Sequence, residues 1–102
     1  MMKKILSLLL FSSLFIAIPK LSHADAACNI GKILYDKGQY AKSFKHMKKL
    51  ARYKNGCAKY YLGLMYFKGE GTNKNLDLAV KFIKESAKEG YTDAVGFFDR
   101  QE

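Results

Sequence analysis

Histidine, cysteine and acidic side chains are scarce in this chain of 102 residues, and each scarcity removes a class of chemistry. One of the two histidines, His23, falls in the stretch read below as a leader. The other, His46, lies between Lys45 and Met47 on a helix-forming segment, the setting of a solvated side chain and not of a general base. Cys28 and Cys57 are the only cysteines, and with one histidine nearby at no recognised ligand spacing they do not make a zinc site. None of Ser7, Ser12, Ser13, Ser22, Ser43 or Ser86 has a lysine three residues on, so the Ser-x-x-Lys arrangement that activates a serine is absent. No cofactor or metal is implied, and the expectation is a protein without a catalytic constellation. Acidic residues number 9 against 18 lysines and arginines.

The N-terminus has a plain physical reading. Met1-Met2-Lys3-Lys4 is followed by an apolar run over residues 5–18, then Pro19-Lys20 and the small-residue stretch Ser22-His23-Ala24-Asp25-Ala26. A basic start, an apolar run too short for a comfortable bilayer span and a small-residue site make a secretory signal peptide, residues 1–24, with cleavage after Ala24 or Ala26. The alternative is an uncleaved membrane anchor. Acylation of Cys28 is disfavoured because Asp25-Ala26-Ala27 lacks the aliphatic residue of a lipoprotein signal. A periplasmic or secreted protein follows, with no stable membrane span after processing.

The domain that remains is small and has little core to bury. Outside the cytoplasm two thiols can pair, so a Cys28–Cys57 disulfide is expected, worth about 3–4 kcal/mol by loop closure; two free buried thiols are the alternative. Charge is uneven along this domain. Residues 25–59 hold nine lysines and arginines against Asp25 and Asp36, whereas residues 60–102 are close to balance.

Helical periodicity runs through the whole domain, and no strand pair is apparent. Residues 29–35 predict a first short helix closed by Asp36-Lys37-Gly38. Residues 39–53 predict a second, with Tyr40, Phe44, Met47, Leu50 and Ala51 on one face and Lys42, Lys45, Lys48, Lys49 and Arg52 on the others. After the turn Lys54-Asn55-Gly56, the segment from Cys57 to Lys68 carries two apolar stripes: Ala58, Tyr61, Leu62, Met65 and Tyr66 on one, Tyr60, Leu64 and Phe67 on the other. Residues 76–89 predict a fourth helix, capped by Asn75, with Leu76, Ala79, Val80, Ile83 and Ala87 inward. A half-helix over residues 94–98 ends the chain. Helix, glycine turn and helix thus recur: Tyr35 and Gly38 match Tyr66 and Gly69, and Ala51 and Ala58 match Ala87 and Ala94. The fold class is all-α, a short α-solenoid of antiparallel helix pairs with about two repeats plus the C-terminal half-helix.

The segment Ala58-x3-Leu62-Gly63-x-Met65-Tyr66-x2-Gly69-x-Gly71, with Leu76-x2-Ala79 and Ser86-Ala87-x2-Gly90-x3-Ala94, resembles one full Sel-1-like repeat, a relative of the tetratricopeptide repeat. Gly31-x3-Tyr35-x2-Gly38-x-Tyr40-x2-Ser43 and Ala51 resemble the shorter tetratricopeptide variant, with Ser43 where alanine is expected. The resemblance implies a tetratricopeptide-like pair over residues 25–57, a Sel-1-like repeat over 58–93 and a capping half-helix over 94–102. It names no active site. Secreted cysteine-containing members of the family imply one enzymatic alternative, a β-lactamase-like or penicillin-binding activity, for which this chain lacks Ser-x-x-Lys.

The function expected is a protein–protein interaction module: an envelope adaptor, a host-interaction factor or a periplasmic immunity-type partner. Candidate contact residues are Tyr60, Leu64 and Phe67, aromatic anchors on the first helix of a pair, and Lys42, Lys45, Lys49 and Arg52 for an acidic protein or peptide or an anionic envelope component. Each set has a plainer reading. The aromatic stripe can be core covered by Phe97 and Phe98, and the basic run can be a solvated helix face. Nucleic acid is excluded by export and the lack of a recognised binding motif.

Overall fold

The computed structural model describes residues 23–100; the leader expected over residues 1–24 lies outside them except for its last two positions. Five helices are present among the described residues: α1 (His23–Asp36), α2 (Tyr40–Leu50), α3 (Gly56–Lys68), α4 (Leu76–Lys88) and α5 (Phe97–Arg100). The described fold is all-α, with α1 packed on α2, α3 on α4, and α2 and α1 both on α3. This is the short helical-hairpin solenoid read from the periodicity.

Each boundary has a local cause. Helices α1, α3 and α4 end in the same closure, in which an amide reaches back five residues: Gln39 N–H to Leu34 O (2.9 Å), Glu70 N–H to Met65 O (2.9 Å) and Tyr91 N–H to Ser86 O (3.2 Å). At Gly69 the closure needs φ +72°, which a side chain would oppose. Asn55 and Asn75 begin α3 and α4 by accepting from the amides of Ala58 (3.0 Å) and Leu78 (3.1 Å).

Three expectations are corrected. Helix α1 starts six residues before the expected Asn29, because Ala24, Ala26 and Ala27 favour helix and propagate it upstream. The C-terminal helix is not residues 94–98 but Phe97–Arg100: Gly96 takes φ +74°, so Ala94 and Val95 lie in a turn. Leu76, expected inward, is exposed, since it opens α4 before the buried arc of Ala79, Ile83 and Ser86 begins.

The two hairpins close by one device. A Cβ on Gly31 would collide with Met47 Cε and Sδ, and one on Gly63 would stand 2.5 Å from Ile83 Cγ1. Each bare glycine lets the apolar side chain of the following helix reach the backbone. Ser43 Oγ–H then donates to Gly31 O (2.8 Å) and Ser86 Oγ–H to Gly56 O (2.5 Å), so both buried hydroxyls are satisfied by the neighbouring helix. Cys28, Met47, Ala58 and Met65 form the core between the hairpins, and Ile83, Ala94 and Phe97 form a second core at the C-terminal end.

Candidate functional site

Cys28, fully buried in α1, is bonded to Cys57 in the first turn of α3, with the Cα atoms 6.2 Å apart. The bond ties the first helix of one hairpin to the first helix of the next. His46, expected to be solvated, is instead half-buried, and its Nε2–H donates to Ala27 O at 2.8 Å. Residue 46 lies on the edge of α2 that turns toward α1, and the Ala27 carbonyl accepts from it with its second lone pair. Disulfide and histidine together hold α1 at two points.

The stripe Tyr60, Leu64 and Phe67 is not bare. Phe97 lies edge-on to Tyr60 and to Phe67, each at 6.1 Å, and Tyr91 lies 5.2 Å from Tyr60. Leu64 packs with them on Ile83 and Ala94. The chain turns back over α3 through residues 91–97, so the three side chains are half-buried beneath Tyr91 and Phe97. Phe97 is the cover; Phe98 stands beside it at 5.4 Å and is exposed.

Tyrosine hydroxyls crowd this side. Burial first, then the hydrogen bond to Glu70, hold the Tyr35 phenol well above its ordinary value. Its O–H donates to Glu70 Oε1 at 2.7 Å, and Tyr40 is raised first by its own hydrogen bond to Glu70. Burial is also the first cause raising Tyr60, Tyr61 and Tyr91. Glu70 sits between Gly69 and Gly71, and a Cβ on Gly71 would stand 2.5 Å from Tyr40 O. The Gly-Glu-Gly loop therefore docks onto the α1–α2 turn, a contact that joins the hairpins and leaves the carboxylate occupied.

The basic residues divide. Lys59, counted with the cationic half of the sequence, is largely buried against α4, 2.5 Å from Glu89 Oε1 and 3.7 Å from Glu85 Oε2. The four-residue spacing of Glu85 and Glu89 was the available signal for this pair. Lys42, Lys45, Lys49 and Arg52 are exposed, and none of them makes an ion pair among the described residues. They lie on α2 and just beyond it, opposite the buried Ser43 and Met47. Lys45, Lys48, Lys49 and Arg52 line a shallow depression with Phe44 at its floor. Sequence reasoning named these cations but missed the ring among them, because Phe44 had been assigned wholly to the core.

Among the described residues no cluster of histidine, cysteine and carboxylate could hold a metal ion, and no helix is long and apolar enough to cross a membrane. Among the described residues the serines, Ser43 and Ser86, are fully buried and donate to backbone carbonyls. No protein-family model, curated protein or solved structure matches the chain. The Sel-1-like resemblance accordingly rests on this chain's own residues.

Proposed function

We propose that this protein is an exported interaction module, a disulfide-stapled scaffold of Sel-1-like helix pairs that binds a protein or peptide through the basic face of α2. One observation carries the reading. A row of unpaired cations stands on a helix whose opposite face is pinned by Met47, Ser43 and His46, so the charges are held on a rigid support. Unpaired surface charge of one sign speeds encounter with an oppositely charged partner and orients it. The disulfide fits an oxidising compartment, and with the N-terminal pattern it supports export to the periplasm or beyond. Within that setting the role is that of an adaptor, a host-interaction factor or an immunity-type partner.

The test is capture from envelope extract by the oxidised, exported protein, beside a variant carrying Lys45→Glu, Lys49→Glu and Arg52→Glu. A protein retained by the parent and lost by the variant, with the two melting alike, is the expected outcome. Equal retention by both would contradict the assignment to α2.

A further inference from the structure

The depression around Phe44 continues into a row of rings that crosses three helices. Phe44 of α2 meets Tyr66 of α3 edge-on at 5.4 Å, and Tyr66 stacks on Phe82 of α4 at 5.9 Å with the planes 5° apart. All three are half-buried, and Phe44 lines the depression. A lysine stands at either end: Lys48 Nζ is 5.8 Å from the Phe44 ring centre, and Lys81 Nζ is 5.7 Å from that of Phe82. Phe44 also packs on the core between the hairpins, and the lysine over each end ring is held by the ring's negative face. Rings between cations suit a ligand that is itself apolar between charges.

We propose that this row is the docking floor for an acidic peptide segment bearing an aromatic or large aliphatic side chain between carboxylates. The proposal rests on the interaction-module reading and names its partner's chemistry. The apolar side chain lies along the row of Phe44, Tyr66 and Phe82, while carboxylates on one side meet Lys45, Lys48 and Arg52 and those on the other meet Lys81. An anionic membrane is a poorer match. Insertion needs several projecting apolar side chains beside the cations, and of the exposed ones Ile30 and Ile33 are on α1, Leu76 opens α4, Val95 and Phe98 are at the C-terminal end, and Tyr53 stands by itself beside Arg52. A polyanion without apolar groups would leave the rings unused.

The experiment is a binding titration of the full exported, oxidised protein against three probes: a peptide alternating glutamate and phenylalanine, polyglutamate of equal length, and phosphatidylglycerol vesicles. The mixed peptide is expected to bind about tenfold more tightly than polyglutamate, the margin that partial burial of one aromatic side chain supplies. Phe82→Ala should erase that margin and leave polyglutamate binding unchanged. Should Phe82→Ala unfold the protein, Lys81→Glu, an exposed change, should still weaken the mixed peptide severalfold. Equal affinity for the two peptides, binding to vesicles alone, or indifference to Lys81→Glu overturns the proposal. Each of these results, with an envelope protein still captured through Lys45, Lys49 and Arg52, leaves the interaction-module reading standing; loss of that capture as well would remove both.

Discussion

Gly63 and Gly31 show how much of this fold hangs on the absence of a side chain. With 2.5 Å between the missing Cβ and Ile83 Cγ1, Gly63→Ala has to push α4 outward or force Ile83 off its rotamer, at a cost of about 1–3 kcal/mol. In a domain of this size that lowers the melting temperature by roughly 5–15 °C. Adding Ile83→Val removes only Cδ1, 3.2 Å from the new Cβ, and keeps Cγ1, so it should recover little of the loss, which calorimetry on the single and double variants would measure. Lys59 is the polar counterpart. Lys59→Met leaves Glu89 largely buried without its cation, and Glu89 Oε2 is already without a hydrogen-bond partner among the described residues. A denaturant midpoint below that of the parent is expected, and neutralising the pair together by Lys59→Met with Glu89→Gln should cost less than the single change.

The tyrosines set an alkaline limit at the same scale. Tyr35, Tyr60, Tyr61 and Tyr91 are raised above their ordinary 10.0, chiefly by burial. The neutral phenol is therefore favoured in the folded chain. Their contribution to stability is whole below pH 10 and is lost as pH climbs above it toward the folded-state values, because the unfolded chain releases those protons first. Helix content and phenolate absorbance should change together above pH 10. Tyr35→Phe should soften that alkaline loss; phenolate appearing well before the helices melt would contradict the burial argument.

Among the elements, caps explain both the success and the failure of reading from sequence. Asn75 was legible as a cap because it directly precedes an amphipathic run with Asp77 in its first turn, and it accepts from Leu78 N–H as that pattern requires. Asn75→Ala should cost about 1 kcal/mol, with Asn75→Asp close to neutral. Asn55 does the same for α3 but read as part of a turn, since the Gly56 that follows it hides the start of the helix. The end of the chain was misplaced for a related reason. Phe98 has helical spacing with Ala94 and Val95, yet Gly96 breaks the helix there, and Arg100 satisfies the turn by donating to the carbonyls of Val95 and Asp93. Periodicity reports which residues are apolar and how they are spaced; it does not report where a left-handed glycine interrupts the backbone.

The same limit governs the site. The charges of α2 were legible because a cation at the surface needs no partner to be recognised. The fate of Tyr60, Leu64 and Phe67 was not, since it depends on where residues 91–97 fold back, a contact some thirty residues distant along the chain. The ring row Phe44, Tyr66 and Phe82 was hidden for the same reason: its members come from three helices and become neighbours only after the hairpins stack.

For the molecule as a whole, the disulfide sets the register of the solenoid. Cys28 and Cys57 close a loop that contains all of α2, the helix that presents the basic face. Reduction, or Cys28→Ser, should lower stability by about 3 kcal/mol by the loop-closure argument and leave α1 held by packing and by its hydrogen bonds with Ser43, His46 and Glu70. Mass spectrometry of the exported protein should find no alkylatable thiol before reduction and two after it.

The surface divides into a scaffold, where the aromatic stripe is covered, and the proposed contact face, where the cations are exposed. Paired measurements of partner affinity and melting temperature on two variants test that division directly. The triple change Lys45→Glu, Lys49→Glu and Arg52→Glu should lose partner binding while melting with the parent, and Tyr60→Ala should melt early yet bind as the parent does below its transition. A Tyr60→Ala protein that melts normally and fails to bind, beside a charge-reversed protein that binds unimpaired, would contradict it.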